Sequence, residues 1–244
     1  ALTRGVPDVK VAVIHPIESY WMAYGPNDTG ADNRERLQSD FDNVINWLLF
    51  GTIDFDYICE SLLPELYGGS DGAKLAVGKM KYSAVVVAGV DTLRLSTVKI
   101  LEEFIGSGGK VVFLGAKPRY VDALPSDKAD ALYDKAIKPQ FNAPGLLGAL
   151  ESERDVEIRM GDGARASEYI YRKRVDGKRQ WLFIARAKKA AMNARDEGHN
   201  NASQLFITVK GRKTPYVYDT VTGKIYPADY RHKNGKTEIR HTFY

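Results

Sequence analysis

The sequence predicts two units in tandem: a three-layer α/β domain over residues 1–150, with a parallel sheet between helices, and a small antiparallel β-sandwich over residues 151–244. Three observations carry that expectation. Apolar runs of strand length alternate with helical periodicity through the first unit. Farther on, the period becomes that of paired strands around Asp-Gly and Asn-Gly dipeptides. Charge divides in the same place: residues 151–244 hold 20 Lys and Arg against 12 Asp and Glu, whereas residues 1–150 hold 15 against 19.

In chain order, "KVAVIH" (10–15) is a continuous apolar run, as expected of a strand buried on both faces. "NRERLQSDFDNVINWLLFG" (33–51) places Leu37, Phe41, Val44, Ile45 and Leu48 at helical spacing, with Asp32 as the expected cap and Gly51 as the stop. "DFDYIC" (54–59) and "SAVVVAG" (83–89) read as the next strands. The helix "STVKILEEFIGSGG" (96–109), capped by Ser96, then leads into the strand "KVVFLG" (110–115). Strands joined through helices imply right-handed crossovers and a parallel sheet covered on both faces, a flavodoxin-like arrangement.

In the second unit, "SEYIYRKRVDGKRQWLFIARA" and "DYRHKNGKTEIRHTFY" each hold two β-rich runs, turning at Asp176-Gly177 and Asn234-Gly235. "SQLFITVKG" and "PYVYDTVTGKIYPA" add further strands, so six or more are expected. Pro and Gly punctuate the junction near residues 140–165.

The chain of 244 residues is 44% hydrophobic and 27% charged, an ordinary globular composition. It has no apolar run long enough for a membrane helix, and "ALTRGVPDVK" lacks a signal-peptide pattern, so no membrane partner is expected. A start at Ala, with a strand following by about residue 10, suggests a piece cut from a longer protein. The single Cys59 can form neither an internal disulfide nor a thiolate zinc site, and the cellular compartment stays open. His199, His232 and His241 stand apart among polar residues, and neither a metal nor a cofactor is expected.

In such a sheet, ligands bind beyond the carboxyl ends of the strands. That edge should be built from the long loop between His15 and Asp32, from Glu60 and Ser61, and from Gly89, Val90 and Asp91. Tyr20, Trp21 and Tyr24 offer faces for a sugar or for a neighbouring domain or subunit, while His15, Glu18, Asp28, Glu60 and Asp91 offer polar groups. Asp54, Asp56 and Glu60 also suggest paired carboxylates for glycoside hydrolysis, set against aspartates that merely solvate the sheet's amino edge. "GSGGK" ends a helix and precedes a strand, the reverse of a phosphate loop. "YRKRVDGKR" is basic but lacks an RNA-binding signature or a recognition helix, so no nucleic-acid partner is expected.

The alternation resembles class I glutamine amidotransferases, whose nucleophilic Cys sits on a glycine-flanked elbow. Here the turns after strands three and four read "AGVDTL" and "LGAKPR", with neither Cys nor Ser at the elbow. More broadly, "VAVIHPIESYW", "WLLFGTIDFDYICESLLPE", "YSAVVVAGVDTLRLSTVKILEEFIGSGGKVVFLG", "YIYRKRVDGKRQWLFIA" and "PYVYDTVTGKIYPA" together resemble the region after the catalytic barrel in large bacterial glycoside hydrolases. The types in view are the rhamnosidase-like family 106 enzymes and the family 42 β-galactosidases with their trimerisation domain. The resemblance covers nearly the whole chain and implies a catalytic barrel, then an amidotransferase-like domain without its nucleophile, then a β-sandwich. It implies a non-catalytic module whose partner is its own barrel or a neighbouring subunit, with carbohydrate contact and homo-oligomerisation open. No catalytic residue carries over to any position here. The rival is a self-contained carbohydrate-active or amidotransferase-like hydrolase working at the carboxyl edge.

Overall fold

In a computed structural model of the chain, which describes residues 2–188 and 202–243, the architecture is mixed α/β with both parallel and antiparallel sheets. His199 lies outside the described residues. The central sheet has four parallel strands, β1 (Val11–Ile14), β2 (Phe55–Ile58), β3 (Ala84–Ala88) and β4 (Lys110–Leu114), in the spatial order β2-β1-β3-β4. Ile137 continues the ladder beside β4, its N–H donating to the Val111 carbonyl at 2.9 Å.

Side-chain alternation divides these strands between two cores. Val11, Val13, Ala84, Val86, Val112 and Leu114 face one side, joined by Val44, Leu48, Leu146 and Leu150 from α2 (Ala31–Phe50) and the α5 region (Ala143–Ala149). Ala12, Ile14, Val85, Val87, Val111 and Phe113 face the other, against Val98, Leu101 and Phe104 of α3 (Leu95–Gly106) and Leu132 of α4 (Asp130–Lys135). An antiparallel meander, Tyr67–Asp71, Lys74–Val77 and Met80–Tyr82, adds Leu75 and Val77 to that second core. The continuous apolar runs are therefore the sequence image of a sheet wetted on neither face.

The helix starts differ from the expected ones. Gly30 caps α2 and Asp32 lies in its first turn; Arg94 caps α3, with Ser96 inside the helix, and neither makes a side-chain capping hydrogen bond. Close approach explains Gly30, because a Cβ there would fall 1.7 Å from the Ala23 carbonyl oxygen.

Beyond residue 150 the strands enter two main antiparallel sheets. One joins the two-residue strand Val6–Pro7 to β6 (Tyr169–Asp176) and β7 (Arg179–Arg186). The other runs β5 (Val156–Met160), β8 (Ser203–Lys210), β12 (Lys236–Phe243), β11 (Asp229–Lys233). A two-stranded ribbon pairs β9 (Tyr216–Tyr218) with β10 (Ile225–Pro227). Tyr169, Leu182 and Ile184 from the first sheet share one apolar cluster with Val156, Ile158, Leu205 and Ile207 from the second. Asn234 and Gly235 turn as the sequence implied, both at positive φ. At the other hairpin Asp176 pairs with Arg179, so Gly177 and Lys178 make the turn, one residue later than expected.

Pairing of Val6 and Pro7 with Val175 and Arg174 carries the start of the chain into the second unit's sheet. Charge pairs then join the parallel-sheet region to the antiparallel sheets. Asp155, 8% exposed, takes hydrogen bonds from Lys10 and Lys173, and Lys173 also reaches Asp8 at 2.7 Å. Arg172 spans Asp54 at 2.8 Å and Asp56 at 3.2 Å. Arg154 donates to the Thr52 side chain at 2.6 Å.

Candidate functional site

The stretch from His15 to Asp32 is not one loop. Residues Ile17–Met22 form a short helix, α1, and Pro26–Asp28 a 3-10 turn. Buried Ser19 fixes α1 to the end of β3: its Oγ accepts from the backbone N–H groups of Asp91 at 2.9 Å and Thr92 at 3.1 Å, and donates to the Thr92 carbonyl at 3.3 Å. Sequence reasoning passed over Ser19, although a serine bracketed by Glu18 and Tyr20 within an otherwise bulky segment was the available signal. Ser19→Ala leaves two buried N–H groups unpaired and should destabilise the chain by about 1–3 kcal/mol. Urea unfolding measures this, and a loss below the error of the method contradicts the anchoring role.

The expected site residues fall into four groups. His15 packs edge-on to the rings of Phe41 at 5.4 Å and Tyr57 at 5.6 Å, and burial lowers its pKa. It belongs to an aromatic packing cluster. Glu18 pairs with Arg94, whose backbone N–H donates to Glu60 at 2.9 Å. Glu60 is only 2% exposed, and burial pushes its pKa up to about 7 against the opposing pull of the Arg94 N–H. Beside it the Cys59 thiol lies 3.0 Å from the Ser61 hydroxyl, which draws the thiol below its ordinary pKa while burial works the other way.

Asp91 is held by Arg36, at 3.0 and 3.1 Å, and by Asn33 at 3.0 Å, both projecting from α2. Asp28 pairs with Arg34, whose guanidinium lies 4.5 Å from the Tyr24 ring centroid and donates to the Ala23 carbonyl at 2.9 Å. Tyr20 meets Tyr24 edge-on at 5.7 Å. A shallow groove of about 530 Å³ runs from Tyr20 and Asp28 along α2 past Gln38 and Asn43. Trp21 and Tyr24 are 61% and 62% exposed, with Met22 between them.

Asp54, Asp56 and Glu60 do not converge. The two aspartates hold Arg172 of β6, whereas Glu60 caps the Arg94 end at the opposite, carboxyl end of β2. They do not solvate a free edge either. Burial raises Asp54 to about 6, against the lowering pull of Arg172. Among the described residues, no group of three His, Cys, Asp or Glu side chains is placed to hold a metal ion, and no helix is long and apolar enough to cross a membrane.

No family model and no curated protein matches the chain. Solved structures do match. The structural neighbours are glycoside hydrolases. A rhamnosidase from Novosphingobium sp. PP1Y aligns with 98% of this chain at a TM-score of 0.61 and 18% identity. The alpha-L-fucosidase isoenzyme 2 of Paenibacillus thiaminolyticus aligns with 97% at a TM-score of 0.52 and 10% identity. The chain spans only 22% of the rhamnosidase and 47% of the fucosidase. At such identities the likeness is one of fold.

Proposed function

We propose that the chain is a non-catalytic assembly module of a larger glycoside hydrolase, seated through the carboxyl edge of its parallel sheet against that enzyme's catalytic barrel or a neighbouring subunit. The observation that carries this reading is the extent of the likeness: nearly all of this chain corresponds to a fraction of each glycosidase. The edge chemistry supports it. Glu18, Asp28 and Asp91 are engaged by arginines, Glu60 is shut away from any sugar, and the turn Gly89-Val90-Asp91 carries neither Cys nor Ser. The order β2-β1-β3-β4, extended by Ile137, supports the finer flavodoxin-like and amidotransferase-like description of the first unit.

Assayed on nitrophenyl glycosides, including α-L-rhamnosides and β-galactosides, the chain is expected to give no turnover. Turnover abolished in Glu18→Gln or Glu60→Gln would instead establish the self-contained hydrolase. The exposed patch of Trp21, Met22 and Tyr24 is the contact surface in this reading. Sedimentation should show concentration-dependent association weakened by Trp21→Ala; a micromolar sugar site localised to this patch by tryptophan fluorescence would overturn the interface assignment.

A further inference from the structure

The open face of the sandwich's four-stranded sheet carries a charge arrangement the fold does not need. Strand register sets Lys210 opposite Lys236, and Lys236 opposite Lys233, so three lysines share one row of the sheet beside the Asn234-Gly235 turn. Buried Val209 and Thr237 alternate with Lys210 and Lys236, which sends these lysines outward. Like charges directly opposite on antiparallel strands repel. Lys210 is partly compensated, donating to the Ser152 carbonyl at 3.0 Å and standing 3.6 Å from Asp155. Lys233 and Lys236 pair with no carboxylate among the described residues.

The neighbouring cations are already matched: Arg159 with Glu157 at 2.6 Å, Arg231 with Glu238 at 2.5 Å, and Arg240 with Asp229 at 3.0 Å. The uncompensated charge of the face is therefore the lysine pair. It borders a groove of about 390 Å³ that also includes Phe206 and Thr208. Phe206, 37% exposed, sits between Arg159 and Arg240 in the register, a large ring left open among charges.

We propose that this face binds an acidic glycan, with Lys233 and Lys236 taking uronate carboxylates and the Phe206 ring stacking under a sugar. Its anionic preference rests on the lysine row; the choice of a glycan rests on the module reading given above. Thr208, on the same groove, suits a sugar hydroxyl, which can donate a hydrogen bond to it.

Affinity electrophoresis of the chain in gels containing polygalacturonate tests the proposal, with neutral galactan and a single-stranded oligonucleotide as separate arms. Retardation is expected with polygalacturonate alone and should weaken as ionic strength rises. The double variant Lys233→Gln/Lys236→Gln should lose about tenfold or more in affinity. Phe206→Ala should also weaken binding. The lysine variant should melt no lower than the parent, because it removes repulsion, so lost binding is separable from lost folding. Equal retardation by galactan, tighter binding of the oligonucleotide, or undiminished retention of the lysine variant would each overturn the proposal. Glycoside turnover by the chain would sink the module reading and leave this binding result standing; no retention together with no turnover would sink the acidic-glycan face alone.

Discussion

Asp155→Asn is expected to cost about 3–5 kcal/mol of unfolding free energy, because it leaves Lys173 buried beside a group that no longer balances its charge. The Lys173 side chain is only 6% exposed and would keep a single carboxylate, that of Asp8 at 2.7 Å. Burial by itself would raise the Asp155 carboxyl, but the hydrogen bonds from Lys10 and Lys173 outweigh it and hold the pKa below the ordinary 3.8. A depressed carboxyl contributes stability that is fully present above its unfolded pKa and is lost as pH falls through the folded one. The gap between parent and variant should thus be widest above about pH 4 and close below it. Urea unfolding at several pH values measures this. A loss under about 1 kcal/mol at neutral pH would mean that the cluster behaves as an exposed ion pair. Since Asp155 ties Lys10, just ahead of β1, to β6 through Lys173, the variant should also loosen the parallel sheet from the antiparallel sheets, seen as a broadened or split transition.

The second large effect has the opposite sign. Glu60→Gln should stabilise the chain at alkaline pH, since the parent must then hold an ionised carboxylate at a site that excludes water. Gln retains an oxygen able to accept the Arg94 N–H, which reaches Glu60 at 2.9 Å. Here the folded pKa is raised from 4.5 to about 7, with burial the leading cause. The folded state therefore binds the proton more tightly, and stability falls as pH rises through that interval. Parent and variant should match near pH 4, with the variant gaining up to about 3 kcal/mol above pH 8. Melting curves across that range would show the divergence. A variant weaker than the parent at pH 8 would instead make the ionised carboxylate a partner the fold needs.

What the sequence determined by itself is the local architecture. Continuous apolar runs such as Val11–Ile14 and Ala84–Ala88 become strands buried on both faces, because only a covered parallel sheet dries every position of a strand. The spacing of Leu37, Val44 and Leu48 becomes the buried stripe of α2, and Asn234-Gly235 becomes a tight turn because both residues tolerate positive φ. Cap positions were less legible. Gly30 wins over Asp32 through a close approach to Ala23 that no helix signal encodes, and Ser19 matters through its reach to Asp91 and Thr92, far along the chain.

Tertiary structure alone decided the partners of the charges. Asp54 and Asp56 read from sequence as strand-start solvation or as half of a catalytic pair; folding hands both to Arg172, more than a hundred residues away. Glu18, Asp28 and Asp91 read from sequence as polar groups for a ligand or an interface; folding sets Arg94, Arg34 and Arg36 beside them. The physical reason is range. Periodicity and turn chemistry act between neighbours a few residues apart, so a single sequence displays them. An ion pair is set by where two distant backbones bring their side chains, and its strength by how much water the surrounding fold removes, neither of which is written in the local pattern.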